Sequence, residues 1–260
     1  MNDIIRKRKS IRKYDLAPLD ATTIEKVKMQ IGKVTPLYPD IRYSIDIVNI
    51  TKGLFNIKAP HYLVFRSEVK DGAYENIGFI GQQLDLFFSG SGLGSCWLGA
   101  AKPEKENPSA VPVATALPAA SALPVVICMS FGKPAEPLHR DISGFKRKSL
   151  SEISEGVDER LEAARLAPNA TNAQRWYFIA ENGKIHCYRV KSNALLGLIY
   201  DKLHSVDIGI ALCHIALCNA TTSGGTVTPD SDGFSFSKEA NSPERKGCIY
   251  SGTVQSVTGS

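Results

Sequence analysis

Basic and hydroxyl side chains crowd the start of the chain. Six of the first thirteen residues are lysine or arginine, and Arg8, Ser10 and Arg12 recur at every second position. Guanidinium groups bind phosphate through paired N–H donors, and a serine hydroxyl adds a neutral donor. The segment therefore predicts a site for a phosphorylated ligand. A solvated basic helix end is the other interpretation of the same residues.

A second polar segment lies far along the chain, at residues 167–176, where Ala-Pro-Asn-Ala-Thr-Asn-Ala-Gln-Arg-Trp follows a short helical pattern. Its amide side chains can both donate and accept hydrogen bonds, as the edge of a flat polar ligand requires. A polar cap and turn after a helix would have a similar composition. Taken together, the two segments are interpreted as two sides of one site that binds an anion and an aromatic ring.

Bulk properties limit the class of protein. The chain has 260 residues, 43% of them hydrophobic and 22% charged, with a formal net charge of +5. This is globular composition, and the modest charge excess suits a phosphorylated small molecule at least as well as nucleic acid. A nucleic-acid binder ranks last among the hypotheses, because the basic run has neither interleaved aromatic residues nor a recognition-helix pattern.

Cysteine usage and the first residues indicate the compartment. No pair of the six cysteines is spaced Cys-x-x-Cys, so buried free thiols are expected rather than disulfides or a metal. His214 and Cys218 are four residues apart and could hold zinc, but further ligands at suitable spacing are lacking, so core packing is expected. The basic start is not followed by an apolar run, which predicts a cytoplasmic protein without signal peptide or membrane span.

Hydrophobic periodicity predicts an α+β fold, with helices packed around a mixed or antiparallel sheet. An Asn-Gly pair at 182–183 predicts a hairpin turn. The Ala- and Pro-rich residues 108–124 predict a surface connection. Helices are expected at 4–10, 24–31, 73–91, 157–164 and 194–220, and strands at 41–47, 61–65, 125–131, 176–180, 184–190, 234–236 and 248–250.

Three motifs together resemble the FMN-dependent nitroreductase family. The family opens with Arg-Arg-Ser-x-Arg-x-aromatic, matched here by Arg-Lys-Ser-Ile-Arg-Lys-Tyr at 8–14. Its Ala-Pro-Ser-x-x-Asn-x-Gln-Pro-Trp motif resembles residues 167–176, with Asn169 in place of serine and Arg175 in place of proline. Its Gly-Leu-Gly-x-x-Trp-x-Gly motif is matched at 92–99, and a basic cluster follows at 146–148. Each motif is short, so the resemblance rests on their combination.

The resemblance implies an FMN site. Phosphate and ribityl contacts fall in the N-terminal segment and the basic cluster, and the ring contacts fall in the other two motifs. The residues so assigned are Arg8, Lys9, Ser10, Arg12, Trp97, Leu98, Gly99, Lys146, Arg147, Pro168, Asn169, Asn172 and Gln174. The extra cation of Arg175 suggests anionic substrates. His204 and Asp207 are interpreted as capping or interface residues that could border the cleft.

The order of the motifs departs from a standard family member. Residues 15–50 lack the Pro-Ser-x-x-Asn motif, and a second copy of the long-helix pattern follows at 207–214. The chain therefore resembles two degenerate nitroreductase-like halves fused in tandem, 1–150 on the phosphate side and 155–260 on the partner side. These halves would form an intramolecular pseudo-dimer with two pseudo-symmetric parts. A monomer or a weak homo-oligomer is expected.

The implied activity is an NADH- or NADPH-driven oxidoreductase that works by ping-pong hydride transfer. Its acceptors would be nitroaromatics, quinones or similar electron-poor small molecules, and the flavin rather than a side chain would carry the chemistry. Two alternatives stay open. In one, the flavin is a substrate, as in related flavin or corrin-ligand enzymes; in the other, the chain is a degenerate flavin-binding module without turnover.

Overall fold

The computed structural model describes residues 3–49, 51–53, 57–103, 111–115, 123–192, 194–218 and 234–256. The first sheet along the chain is antiparallel and has five strands. Its strand order is β4-β7-β3-β1-β6, which places β3 in the middle. The strands are β1 (Tyr43–Val48), β3 (His61–Ser67), β4 (Gly94–Leu98), β6 (Val111–Thr115) and β7 (Val125–Gly132), and the separate pair β2 (Thr51–Gly53) and β5 (Ala101–Pro103) forms a small ribbon.

A second five-stranded sheet uses the rest of the chain, in the order β11-β12-β10-β9-β8. Its strands are β8 (Ser154–Glu155), β9 (Trp176–Glu181), β10 (Lys184–Val190), β11 (Phe234–Ser237) and β12 (Cys248–Ser256). The predicted hairpin joins β9 to β10. Asn182 and Gly183 have φ values of 51° and 75°, the left-handed conformation that a two-residue hairpin turn requires.

Six helices complete the described fold: α1 (Asp3–Lys7), α2 (Ala21–Ile31), α3 (Ala73–Gly90), α4 (Leu150–Ile153), α5 (Arg160–Leu166) and α6 (Ala194–Leu217). Helix α2 begins behind Asp20, whose Oδ1 accepts the Thr23 backbone N–H at 2.9 Å. Thr22 and Thr23 lie inside the first turn, because a carboxylate already occupies the capping position. Helix α3 ends at Gly90, one residue before the predicted end of the helix at 73–91.

Helices α3 and α6 pack against each other in the centre of the molecule. A Cβ atom on Gly78 of α3 would lie 2.1 Å from the Val206 carbonyl oxygen, and one on Gly209 of α6 would lie 1.9 Å from that of Glu75. Any larger side chain would collide with backbone at both points. The two glycines therefore allow the helices to approach almost backbone to backbone.

Several details differ from the sequence-based expectations. Part of the predicted surface connection is strand β6, which pairs with β1; the remainder of 108–124 lies partly outside the described residues. Val157 is 98% exposed and precedes α5 instead of belonging to it. The prediction of one or two helices at 194–220 resolves into the single helix α6, with 219–220 outside the described residues.

Two further observations concern the state of the cysteines and the search for a membrane-spanning helix. All six cysteines are free, and only Cys248 is not buried. Across the described part of the chain, no helix combines the length and the apolar character needed to cross a bilayer.

Candidate functional site

A cleft of about 610 Å³ brings distant parts of the sequence together. This volume lies within the range of small-molecule sites. Residues of three predicted motifs line it: Ser10 and Arg12 from the N-terminal segment, Trp97 and Gly99 from the end of β4, and Pro168 and Asn169 from the loop after α5. The structure thus unites the two segments that the sequence separates by about 150 positions.

Arg8 lies beneath this cleft, in a buried ion pair. Its Nε is 2.7 Å from Asp85 Oδ2 on α3, and both side chains are 1% exposed. Its Nη2 donates to Ser10 Oγ at 3.1 Å, while Asp85 Oδ1 accepts the Ser95 hydroxyl at 2.7 Å. Asp85 compensates the Arg8 charge, so the observed contacts of Arg8 orient Ser10 at the cleft wall.

Lys9 is held outside the cleft by Glu136. Its Nζ is 2.6 Å from Glu136 Oε2, and Glu136 Oε1 accepts the backbone N–H groups of Arg12 and Lys13 at 2.7 and 3.1 Å. Burial opposes ionisation of Glu136, but the hydrogen bonds from Lys9 and the two backbone groups outweigh it and lower the pKa to about 2. This carboxylate fixes the backbone on which Arg12 reaches the cleft.

A buried polar network links the cleft wall to α6. Trp97 Nε1 donates to Gln82 Oε1 at 3.2 Å, and Gln82 Nε2 donates to Asp85 Oδ2 at 2.9 Å. The same amide nitrogen is 3.0 Å from His214 Nε2, and His214 Nδ1 lies 2.9 Å from the Ala163 carbonyl oxygen. Burial lowers the pKa of His214 to about 3, so the ring is neutral, with Nδ1 donating and Nε2 accepting. His214 is therefore a network residue in the core, as the sequence suggested.

The segment around Trp97 supplies four of the lining residues, Cys96, Trp97, Gly99 and Ala100. Trp97 and Gly99 line the cleft, whereas Leu98 points into a separate apolar cluster with Ile11 and Tyr62. Of the three contacts predicted in this motif, Trp97, Leu98 and Gly99, only Leu98 is not among the residues that line the cleft.

Several arginine side chains cluster next to the end of the cleft that is lined by Ser10 and Arg12. Burial, with nearby Arg8 and Arg12, lowers the pKa of Arg140 to about 10. Burial, with nearby Arg8 and Arg140, lowers the pKa of Arg147 to about 10. Within the described residues, buried Arg8 Nη1 and Arg147 Nε have no hydrogen-bond partner. Mutual repulsion and unused donors are properties of a site that accepts an anion.

The basic cluster and the 167–174 loop are fastened to each other. Arg147 Nη1 donates to Asn172 Oδ1, and Asn172 Nδ2 donates to the Lys146 carbonyl at 2.7 Å. Gln174 Oε1 accepts the Lys148 backbone N–H at 2.7 Å. The predicted contact residues Lys146, Arg147, Asn172 and Gln174 therefore come together, but outside the immediate lining of the cleft. Their contacts fix the loop that carries Pro168 and Asn169.

This loop has an unusual backbone. Thr171, Asn172 and Gln174 have φ values of 52°, 57° and 46°, which residues other than glycine rarely adopt. Asn169 Oδ1 accepts the Gln174 backbone N–H at 2.9 Å and helps to hold the turn. Such conformations persist where surrounding contacts impose them, commonly at ligand sites.

Asp207 is a buried acidic residue in the lining of the cleft. It is buried, and both carboxylate oxygens accept the Ala170 backbone N–H, at 2.9 and 3.1 Å. Burial raises its pKa to about 8, against the effects of that hydrogen bond and of Arg147. The sequence suggested only that Asp207 could border the cleft, and it does. His204 instead lies buried against Tyr200, with Ser192 Oγ 3.4 Å from its Nδ1.

The far part of the cleft was missed by sequence reasoning. Tyr74 at the start of α3 and Tyr200 and Lys202 on α6 line it together with Leu203, Val206 and Ile210. No motif marks Tyr74, Tyr200 or Lys202, because they meet only through the packing of α3 on α6. Arg175, the cation expected near the ligand, is not among the lining residues. In the described ranges, no group of His, Cys, Asp and Glu side chains could hold a metal ion.

A family model described as "Putative TM nitroreductase" matches residues 1–219. The chain belongs to this nitroreductase family. Its fold is similar to a crystal structure of a "putative nitroreductase" from Thermotoga maritima MSB8, with a TM-score of 0.60 and 19% identity over 98% of this chain and 92% of that one. At this identity the likeness shows the fold alone, which is a mixed helix and sheet nitroreductase fold.

Two further solved structures align with a smaller share of the chain. One is a "Putative NADH dehydrogenase/NAD(P)H nitroreductase" from Bacteroides thetaiotaomicron VPI-5482, with 15% identity over 58% of this chain and 94% of that one and a TM-score of 0.41. The other is an "FMN-dependent Nitroreductase" from Clostridium difficile R20291, with 15% identity over 56% and 97% and a TM-score of 0.40. No curated protein matches the chain.

Proposed function

We propose that this nitroreductase-family chain is an FMN-dependent oxidoreductase that takes electrons from NADH or NADPH and reduces electron-poor small molecules such as nitroaromatics or quinones. The observation that carries the proposal is the cleft itself. A basic and hydroxyl end, an indole wall and a polar loop converge on one volume of about 610 Å³, as a ligand with a phosphate and a flat ring requires.

The donor set fits the phosphate of FMN. Ser10 and Arg12 line the cleft, and the arginine group beside it has lowered pKa values and buried N–H groups without partners. A phosphate dianion would relieve the repulsion between these cations. Ser10 and Arg12 would hold it directly, and Arg147 and Lys146 would lie behind them. Arg8 would act by orienting Ser10.

The remaining walls suit the flavin ring. Trp97 and Gly99 would approach one side, and Pro168 and Asn169 would cover the other. When bound, FMN supplies the hydride chemistry, and the protein supplies position and electrostatics. Asp207 retains a proton on its carboxyl group at neutral pH, because its pKa lies near 8. That proton is available within the cleft to an acceptor that gains negative charge.

The test is the visible absorption spectrum of natively purified protein, supplied with FMN if it is colourless. Bound-flavin bands that NADH or NADPH bleaches under anaerobic conditions would support the proposal. Flavin bands that neither nucleotide bleaches would support the second candidate, a flavin-binding module without turnover. Absence of any flavin binding would refute both.

The second candidate has its own supporting observation. Arg8 is neutralised by Asp85, Lys9 by Glu136, and Asn172 and Gln174 are engaged with the 146–148 segment. Several family-motif positions thus serve internal structure, which is compatible with a site that retains ligand but has lost catalytic function.

We also propose that the chain is a tandem of two nitroreductase-like halves acting as an intramolecular pseudo-dimer. Two five-stranded sheets, each with a long central helix, and a cleft lined from both segments support this arrangement. The covalent tandem predicts a monomer of about 28.2 kDa in light scattering. A tight dimer at micromolar concentration would refute the tandem while leaving the flavin proposal intact.

A further inference from the structure

The cleft has a second positive end. Lys202 on α6 lines it, with its Nζ 5.6 Å from the centre of the Tyr74 ring. Lys202 is exposed, and no salt bridge to it is found among the described residues. An ammonium group held over an aromatic face and open to a cleft is available to a ligand anion.

This end is distinct from the proposed phosphate end. Tyr74 and Asp85 are eleven positions apart on α3, which corresponds to about 16 Å along the helix axis. Asp85 binds Arg8, which in turn contacts Ser10 at the N-terminal end of the cleft. The proposed phosphate site at Ser10 and Arg12 and the contact between Lys202 and Tyr74 therefore lie near opposite ends of this stretch of α3. Lys202 is therefore left for a second ligand.

The cleft carries little negative charge to compete with that ligand. Its lining cations are Arg12 and Lys202, and its acidic lining residue is Asp207, which is largely protonated at pH 7 because burial raises its pKa to about 8. Around Lys202 the walls are flat or apolar, formed by Tyr74, Tyr200, Leu203 and Val206. These surfaces suit a planar ring next to a single anionic group.

We infer that Lys202 and Tyr74 form an anion subsite, so that the enzyme prefers electron-poor aromatic acceptors that carry a carboxylate. The ligand's role as an electron acceptor rests on the proposed function. Binding of an anion at the subsite does not depend on that function. The same chemistry would also fit a phosphate of the nicotinamide nucleotide, and the experiment below separates the two sources.

The experiment compares 4-nitrobenzoate with uncharged 4-nitrotoluene on FMN-loaded full-length protein. Lys202→Gln should lower affinity and kcat/KM for 4-nitrobenzoate about two- to fivefold, the size expected for an exposed charge pair, and should affect 4-nitrotoluene less. Lys202→Arg should retain the preference, and raised salt should erase it. Lys26→Gln, an exposed lysine on α2 outside the cleft, is the matched control.

Three outcomes would overturn the inference. Equal losses for both nitro compounds would mean that Lys202 acts through structure. No loss for either would mean that it binds no acceptor anion, and a raised KM for NADH or NADPH alone would assign it to the nucleotide phosphate. Calorimetric binding of the two compounds is measured independently of turnover. A carboxylate preference by calorimetry with no bleaching by nucleotide would thus refute the proposed function while supporting the subsite.

Discussion

The Arg8–Asp85 pair offers a quantitative test of how the fold supports the cleft. Asp85→Asn keeps the shape of the side chain and removes its charge, which leaves the Arg8 guanidinium 1% exposed and without a counterion. Breaking a buried ion pair by removing one partner costs about 3–5 kcal/mol. That is a large part of the roughly 5–15 kcal/mol by which domains are stable. For a chain of this length it corresponds to a fall in Tm of roughly 6–20 °C.

The assay is urea unfolding followed by circular dichroism, with a thermal scan alongside. Asp40→Asn is the matched control, since its pair with Lys70 is fully at the surface, and we expect its unfolding curve to overlay that of the parent. The double variant Arg8→Met with Asp85→Leu should recover part of the lost stability, because it removes both buried charges but also removes the acceptor of Gln82 and Ser95. If Asp85→Asn unfolds at the same urea concentration as Asp40→Asn, the network does not support the fold as argued.

Three further predictions concern the cleft and its supporting helices. Arg12→Ala with Lys146→Ala, both exposed, should keep the fold and weaken FMN binding by at least roughly tenfold, because the charged hydrogen bond of Arg12 alone is worth about 1.5–3 kcal/mol. Unchanged flavin affinity in a fluorescence titration would contradict the phosphate assignment. The pKa of Asp207 is raised on folding, so its contribution favours the native state at acid pH and is lost as pH rises towards 8. The free energy of unfolding of Asp207→Asn, relative to that of the parent, should therefore be higher at pH 8 than at pH 5. The same relative value at both pH values would count against the raised pKa. Gly209→Ala places Cβ 1.9 Å from the Glu75 carbonyl oxygen and should destabilise the fold by about 1–3 kcal/mol or more. Gly32→Ala is the control and should be tolerated, because the nearest atom to its Cβ is 3.5 Å away. Equal melting temperatures for the two variants would refute the close helix packing.

The double variant Arg8→Ala with Arg12→Ala looks from the sequence like a clean probe of phosphate binding, but the structure argues otherwise. Arg8 is buried against Asp85, so its removal would leave a carboxylate unpaired in the core. Loss of flavin in that variant would not distinguish a missing contact from a damaged fold. Arg12 and Lys146 are exposed and avoid this ambiguity.

Local pattern was sufficient where a segment's own residues decide its structure. The Asn-Gly turn needs two residues that tolerate positive φ, and the hairpin at 182–183 formed as predicted. The long apolar helix at 73–91 was likewise predictable, and so were β3 and β7. The motifs also identified the family and six of the residues that line the cleft: Ser10, Arg12, Trp97, Gly99, Pro168 and Asn169.

Tertiary structure alone decided which of the motif residues face the ligand cleft. Whether Arg8 meets a phosphate or a carboxylate depends on Asp85, which is 77 positions away and reaches it only because α3 passes beneath the N-terminal segment. Tyr74 and Lys202 meet because Gly78 and Gly209 let α3 and α6 approach closely, and the raised pKa of Asp207 comes from burial in the same packing. Residue types and spacing determined the kinds of chemistry available to this chain. The exposure and pairing of those groups depend on contacts between distant segments, which local pattern does not specify.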